Sequence, residues 1–493
     1  MADRPATTLD PDDWDAVRAL GHRMLDDMVD HLAGLRTRPV WQPMPPEARE
    51  ALRQPLPRAP GSLEAAYETL QDAVIPYTAG NPHPGFMGWV QGAGTPVGML
   101  AELIAGALNA NVGGRNQAPV ELEHQVSHWM AGLFGFPQAA RGIFVTGTSI
   151  ANFMGVVVAR TALLGREVRA RGLAGDPGHG KLRAYTSSEA HGCIAKAMEM
   201  AGLGSDALRR IDVDGDGRMR VDDLRAQVEA DRRAGFKPFL LVATAGTVNT
   251  GAIDPLPQLA DFAREQDLWL HVDGAYAALG MLAPDVAPLL AGIERADSLA
   301  FDFHKWGQVP YDAGYFMARD RAHMLDAFAA PAAYLRRAER GLAAGDAWPC
   351  DLGPDLSRGF RALKTWLTFQ AYGADAIGAA ISHTCALARR LCARVQAEPE
   401  LELLAPVALN VVCFRYAGAD AEALDLDRIN REIVLALYDE GRVAPSSTEL
   451  AGRYAIRAAI VNHRTREDDV DALAEAVLRL GRRLSSPNHQ ESA

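Results

Sequence analysis

Cysteine is scarce in this chain and shows no pattern. The 493 residues hold five (Cys193, Cys350, Cys385, Cys392 and Cys413), an odd number with no Cys-x-x-Cys pair. That excludes a disulfide framework and a zinc knuckle and fits a reducing compartment. Long apolar runs are lacking too: Gly, Asn or a charge interrupts each one, well short of the roughly 20 residues that span a bilayer. The first residues, MADRPATTLDPDDWD, are acidic and carry no apolar signal core, so a cytoplasmic location is expected. Positive charge is in deficit, with 50 Lys and Arg against 62 Asp and Glu and a net charge of -12. The basic residues are scattered, so neither nucleic acid nor an anionic membrane is an expected partner.

What is present is an ordinary globular composition, 48% hydrophobic and 23% charged, long enough for a large core and smaller lobes. Residues 11–36 place Trp14, Val17, Leu20, Met24, Met28, Leu32 and Leu35 at helical spacing. A proline-rich stretch follows over 39–60, and Ser62 is a suitable N-cap for a helix over 62–74. Residues 1–84 therefore read as a helical extension with little core of its own, packed on something else such as a second subunit. From about 95 to 320, β-rich runs at 142–146, 182–186, 239–244, 269–273, 298–302 and 314–317 alternate with helical segments. That alternation predicts a mostly parallel α/β sheet covered on both faces, within a large domain over 85–378 that closes on a helix at 358–372. Residues 379–493, with strands at 409–416 and 454–460 and an amphipathic helix at 467–484, read as a separate α+β lobe.

Ligands of an open α/β sheet gather at the carboxyl ends of strands, and four such junctions carry reactive side chains. Thr146-Gly147-Thr148-Ser149 follows the run GIFV and opens a helical stretch. Helix-terminal N–H groups and small hydroxyls make an anion site, although an ordinary N-cap reads the same way. Asp273 ends LWLHV in HVDGAYA, where a carboxylate either caps a turn or pairs with a protonated ring nitrogen. Lys305 follows the apolar strand of DSLAFDFHKW between His304 and Trp306. That is a poor setting for a solvated charge and a good one for an amine that condenses with an aldehyde. It lies 32 residues after Asp273, room for one helix and one further strand. His191 in SSEAHGC stands at another junction, as a capping or core histidine or as a group stacked on a flat ring. The run DVDGDGRMRVDD (212–223) has the spacing of a calcium loop but ends in Asp223 and follows the strand-like RRI. It reads as an Asp/Gly turn entering a helix over 221–230, and no metal is expected.

Together and in this order HKW, HVDGAYA and SSEAH, with HPGFMGWV (83–90) and PVELE (119–123), carry a resemblance over nearly the whole chain. The chain resembles the fold-type I, group II pyridoxal 5′-phosphate (PLP)-dependent decarboxylases, the family of aromatic-L-amino-acid decarboxylase. The resemblance implies a seven-stranded, mostly parallel sheet, PLP as cofactor, and a homodimer with active sites at the subunit interface. It implies decarboxylation of an L-amino acid, with an aromatic or other bulky or polar side chain, to its amine. By matched position Lys305 forms the Schiff base, Asp273 partners the pyridine nitrogen and His191 stacks on the ring. Thr148, Ser149 and His304 hold the phosphate, and Thr247 and Ala275 line the cofactor. Tyr334, in PAAYL, matches a loop tyrosine that returns a proton to the substrate carbon, and the charged RRAERGLAAGD after it suits a lid. Relatives that use oxygen to form aldehydes often carry Phe there, so Tyr334 favours simple decarboxylation over that alternative. A non-catalytic dimeric homologue would have lost the lysine, aspartate or histidine, and all three are present.

The chain departs from the family pattern in three places. Asp302 stands on the phosphate side where Asn is common, and an acid there must be turned away, protonated or paired. Trp89-Val90-Gln91-Gly92 replaces a Tyr-Phe-Pro-Thr run. Asn111 and Gly113, followed by Arg115, stand where bulky residues cross the dimer. With Phe86 and Trp89 as aromatic walls and Gly92, Asn111 and Gly113 beside them, the expected substrate pocket is roomier and more polar, which leaves the amino acid open.

Overall fold

The computed structural model describes residues 8–175, 179–330, 337–418 and 425–486. Its strands are β1 (Phe86–Met87), β2 (Arg141–Val145), β3 (Leu182–Ser187), β4 (Leu208–Ile211), β5 (Lys237–Thr244) and β6 (Trp269–Asp273). They continue with β7 (Ser298–Asp302), β8 (Gly314–Ala318), β9 (Leu401–Leu403), β10 (Val411–Tyr416), β11 (Ala444–Leu450) and β12 (Arg453–Ala459). A seven-stranded sheet runs in the order β2-β8-β7-β6-β5-β3-β4. Only β8 is antiparallel to its neighbours, so the sheet is mostly parallel, as expected.

Strands buried on both faces need apolar residues at every position. On β5, Leu241 and Ala243 join the core on one side, and Leu240 and Val242 join the core on the other. The helix Thr148–Leu164 lies on the second face, with Ala151, Met154, Val156 and Val158 buried. The link from β6 to β7 corrects one expectation. It contains no α-helix but three short 3-10 turns, Ala277–Leu282, Ala287–Leu290 and Ile293–Arg295. Pro284 and Pro288 each remove a backbone donor there, which stops a longer helix.

The second sheet runs β1-β11-β12-β10-β9. It packs with the helices Ala374–Ala397, Leu426–Glu440 and Glu467–Ser485 around Leu391, Phe414, Ile433 and Leu473. β1 pairs in parallel with β11, Phe86 beside Ala444, so the chain enters the larger unit by way of the C-terminal sheet. The N-terminal helix Trp14–Ala33 buries only Leu20, while Ser62 caps the helix Leu63–Ala73 by accepting the Ala65 N–H. The acidic run after β4 closes as a turn: Asp214 accepts the N–H groups of Asp216 and Arg218, and the helix Val221–Arg233 follows. No group of three or more potential metal ligands occurs among the described residues. No helix of these residues is long and apolar enough to cross a membrane.

Candidate active site

The carboxyl ends of β2, β3, β5, β6 and β7 surround one cavity of about 430 Å³. Its wall brings together Lys305, Asp273, His191, Thr148, Ser149, Ala275, Asp302 and His304. A larger cavity of about 680 Å³ opens at the opposite end of β6, around Trp269 and His323, and holds none of them.

β6 and β7 are neighbours in register, Asp273 beside Ala300, so the two strands deliver Asp273 and then Lys305 to adjacent points of the wall. Asp273 is buried at the floor. Its Oδ1 accepts the Ala275 N–H at 3.1 Å and its Oδ2 accepts Asn152 Nδ2 at 3.0 Å. Burial raises its pKa, opposed first by the Lys305 charge and then by these donors. His191 Nδ1 accepts the Cys193 N–H at 3.2 Å, which places the ring proton on Nε2.

Asp302 shows how an acid is accommodated beside an anion site. Its Oδ1 accepts the Thr148 N–H at 2.8 Å, its Oδ2 lies 2.8 Å from Lys305 Nζ, and His304 Nε2 stands 3.6 Å from the same oxygen. His304 Nδ1 accepts the Ala313 N–H at 3.0 Å, so its Nε2 carries the proton. Burial lowers the His304 pKa, and the Asp302 charge opposes that. The hydroxyl of Thr148 is buried with no hydrogen-bond partner among the described residues. A buried hydroxyl at a helix start that waits for an acceptor fits a phosphate. Lys305, Asp273 and this helix end therefore fit PLP at its aldehyde, its ring nitrogen and its phosphate.

Of the other expected residues, only Trp89 is on the cavity wall. Thr247 is one step off the wall: its Oγ1 accepts the Ala252 N–H and meets Thr250 Oγ1, while Gly246 and Val248 face the cavity. Gly92 packs behind the lysine, where a Cβ would fall 2.3 Å from the His304 carbonyl oxygen. Phe86 is buried against the C-terminal sheet, and its ring centroid is 6.2 Å from that of Trp89. Trp89 lines the cavity with a left-handed backbone, φ 50°, a conformation an L-residue holds only under local constraint. Asn111 and Gly113 form a turn that binds the Arg358 N–H, and Arg115 stacks 4.7 Å over Trp348. None of these three lines the cavity of its own chain. Tyr334 lies outside the described residues.

Two residues of the site escaped the reading of motifs. Tyr311 lines the cavity with its ring centroid 4.2 Å from that of His304, six residues after the lysine in a segment without a pattern. Asn152 holds Asp273 from the helix Thr148–Leu164. Its signal was spacing: four residues after Thr148, it points from the same helix face.

The model of the pyridoxal-dependent decarboxylase conserved domain matches residues 45–417. The aromatic-L-amino-acid decarboxylase of Bacillus atrophaeus is 32% identical over 474 residues, covering 94% of this chain and 96% of that protein. The crystal structure of Oryza sativa TDC with PLP and tryptamine superposes with a TM-score of 0.89 at 26% identity, over 97% of this chain and 100% of that one. The Rhodiola rosea 4-hydroxyphenylacetaldehyde synthase structure gives 0.84 at 25% identity, over 97% and 100%.

Proposed function

Because the chain belongs to the pyridoxal-dependent decarboxylase family, and is thus a PLP-dependent carboxy-lyase, we propose that it converts an L-amino acid with an aromatic or other bulky or polar side chain to its amine. The observation that carries this reading is the delivery of Lys305 and Asp273 by adjacent strands into one cavity beside the unpartnered Thr148 hydroxyl.

PLP supplies an aldehyde for the amine and a ring that takes up electrons as carbon dioxide leaves. Lys305 is the amine that anchors the aldehyde, and its ammonium already sits at the cavity end of β7. Asp273 holds a proton on the ring nitrogen, and the ring proton of His191 at Nε2 is directed to orient the substrate carboxylate. Thr148, Ser149 and His304 hold the phosphate, with Thr247 and Ala275 supporting the cofactor. Trp89 and Tyr311 at the mouth exclude water from the reacting carbon. Tyr334 is the proton donor to that carbon, which sets amine rather than aldehyde as product. Trp89 shapes the substrate side, backed by Phe86 and by the close packing at Gly92, and the turn of Asn111 and Gly113 adds to it from a partner subunit in a homodimer.

The reading with an aldehyde product, through oxygen, draws on the similarity to the Rhodiola rosea synthase. A panel of amino acids assayed in parallel for carbon dioxide, hydrogen peroxide and ammonia separates the two. Carbon dioxide without peroxide is the expected result, and stoichiometric peroxide would overturn it. Lys305→Ala is expected to lose both turnover and the yellow absorbance of the lysine-bound cofactor.

A further inference from the structure

His271 sits in the middle of β6, fully buried, and does not touch the cavity. Burial of a histidine requires that both ring nitrogens be satisfied. Here Nε2 is 2.8 Å from Asn152 Oδ1 and Nδ1 is 2.8 Å from Ser298 Oγ.

The direction of each bond can be worked out from either end. The Asp273 carboxylate only accepts, so Asn152 donates Nδ2–H to it at 3.0 Å. That turns Oδ1 toward His271, and Nε2 must carry the ring proton. Burial keeps the imidazole neutral by driving its pKa down to about 3. Nδ1 is then a lone pair, and the Ser298 hydroxyl donates to it. From the other end Trp269 Nε1–H, a donor only, reaches Ser298 Oγ at 2.8 Å and leaves that hydroxyl proton free for His271. Both ends give the same polarity, so the chain of bonds has one arrangement from the foot of the sheet to the floor of the cavity. Gly155 makes room for it: a Cβ there would lie 2.7–2.9 Å from the His271 ring.

We propose that Asn152, His271 and Ser298, with Trp269 at the outer end, are positioning residues that fix the orientation and ionisation of Asp273 toward the cofactor. The proposal rests on the reading of Asp273 as partner of the cofactor's ring nitrogen. Without the Ser298 hydroxyl the His271 Nδ1 lone pair loses its donor and the ring loses its anchor. His271 then holds the Asn152 amide less firmly, and Asn152 in turn holds the carboxylate less firmly. With that donor weakened, Asp273 gains affinity for a proton, at the expense of the ring nitrogen it faces.

The test uses holoenzyme reconstituted with PLP labelled with 15N in the ring, read by solid-state NMR alongside kinetics. The wild type is expected at the protonated position. Asn152→Leu and Ser298→Ala should move the signal toward unprotonated pyridine, with kcat down about tenfold or more, the scale of outer partners of catalytic groups, and KM little changed. Ser298→Thr keeps the hydroxyl and should restore both. Trp269→Phe, partly exposed at the outer end, should give a smaller shift in the same direction and serves if a buried variant does not fold. Asp273→Asn separates the two ideas. If it leaves the signal unmoved, the reading of Asp273 fails. If it moves the signal while Asn152→Leu and Ser298→Ala do not, the relay alone is overturned.

Discussion

Asp302 accepts the Thr148 amide and faces the Lys305 ammonium at once, so any anion bound at that helix end shares its donors with a carboxylate. A phosphate held at that helix end would face the Asp302 carboxylate at close range. Asp302→Asn preserves an oxygen for the Thr148 N–H and removes the repulsion. Its PLP dissociation constant is expected to fall about tenfold, roughly 1.4 kcal/mol, by fluorescence titration of the apoprotein; equal or weaker binding would refute the repulsion. His271 governs a different property. Its pKa drops from 6.5 unfolded to about 3 folded, so the unfolded chain binds a proton that the folded chain refuses. Stability from this site is complete above pH 6.5 and declines with acidification toward pH 3, by about 2 kcal/mol at pH 5. Urea unfolding at pH 7 and pH 5 should therefore show a smaller acid loss in His271→Gln than in the wild type. Asp254, whose burial pushes its pKa up to about 6, acts in the opposite sense but is common to both proteins. Similar acid losses in the two would refute the assignment.

The PVELE segment acquires a purpose at the level of elements. Glu123, on the helix Ala118–Leu133, is buried and forms an ion pair with Arg358, which also donates to the Phe144 carbonyl at 2.7 Å. Glu123 in turn accepts the Phe144 N–H at 3.1 Å. This clamp sets β2, and β2 sets the turn that begins the anion site. Glu123→Ala leaves a guanidinium buried without its acid, so a loss of about 3–5 kcal/mol is expected in a denaturant melt. The elements differed in how far they could be read. β6 and β7 were legible to the residue because each is a short, mostly apolar run closed by the acid that faces the cavity. β11, APSSTEL, was not, since its exposed end alternates polar side chains like a loop. The motifs also could not separate residues that line the site from those that shore it up. Thr247, Gly92 and Asn111 all proved to hold turns or backbone, because local sequence does not record which neighbour a turn will meet.

At the scale of the whole molecule, the helix Pro96–Leu108 exposes Leu103 and Leu108 at 63% and 60%, and Trp14 on the N-terminal helix is 60% exposed. The opposite, buried face of the same helix packs through Gly98 on Pro310, next to Tyr311 at the cavity, so what covers the exposed leucines bears on an element that supports the site. Sedimentation is expected to give a dimer for the wild type, and Leu103→Asp with Ile104→Asp is expected to give an inactive monomer. A folded, active wild-type monomer would rule the dimer out. The order of strands also has a consequence for biosynthesis. Among the described residues β2 pairs only with β8, which leaves the ribosome about 170 residues later. At about 5–20 residues per second that is a wait of about 10–35 s, during which Ile143, Phe144 and Val145 have no strand to join. The loop that begins the anion site is made early and stays unsupported until Asp302 and Gly314 emerge. Soluble yield in a cell will therefore depend on how well that nascent edge is shielded during translation, quite apart from the stability of the finished enzyme.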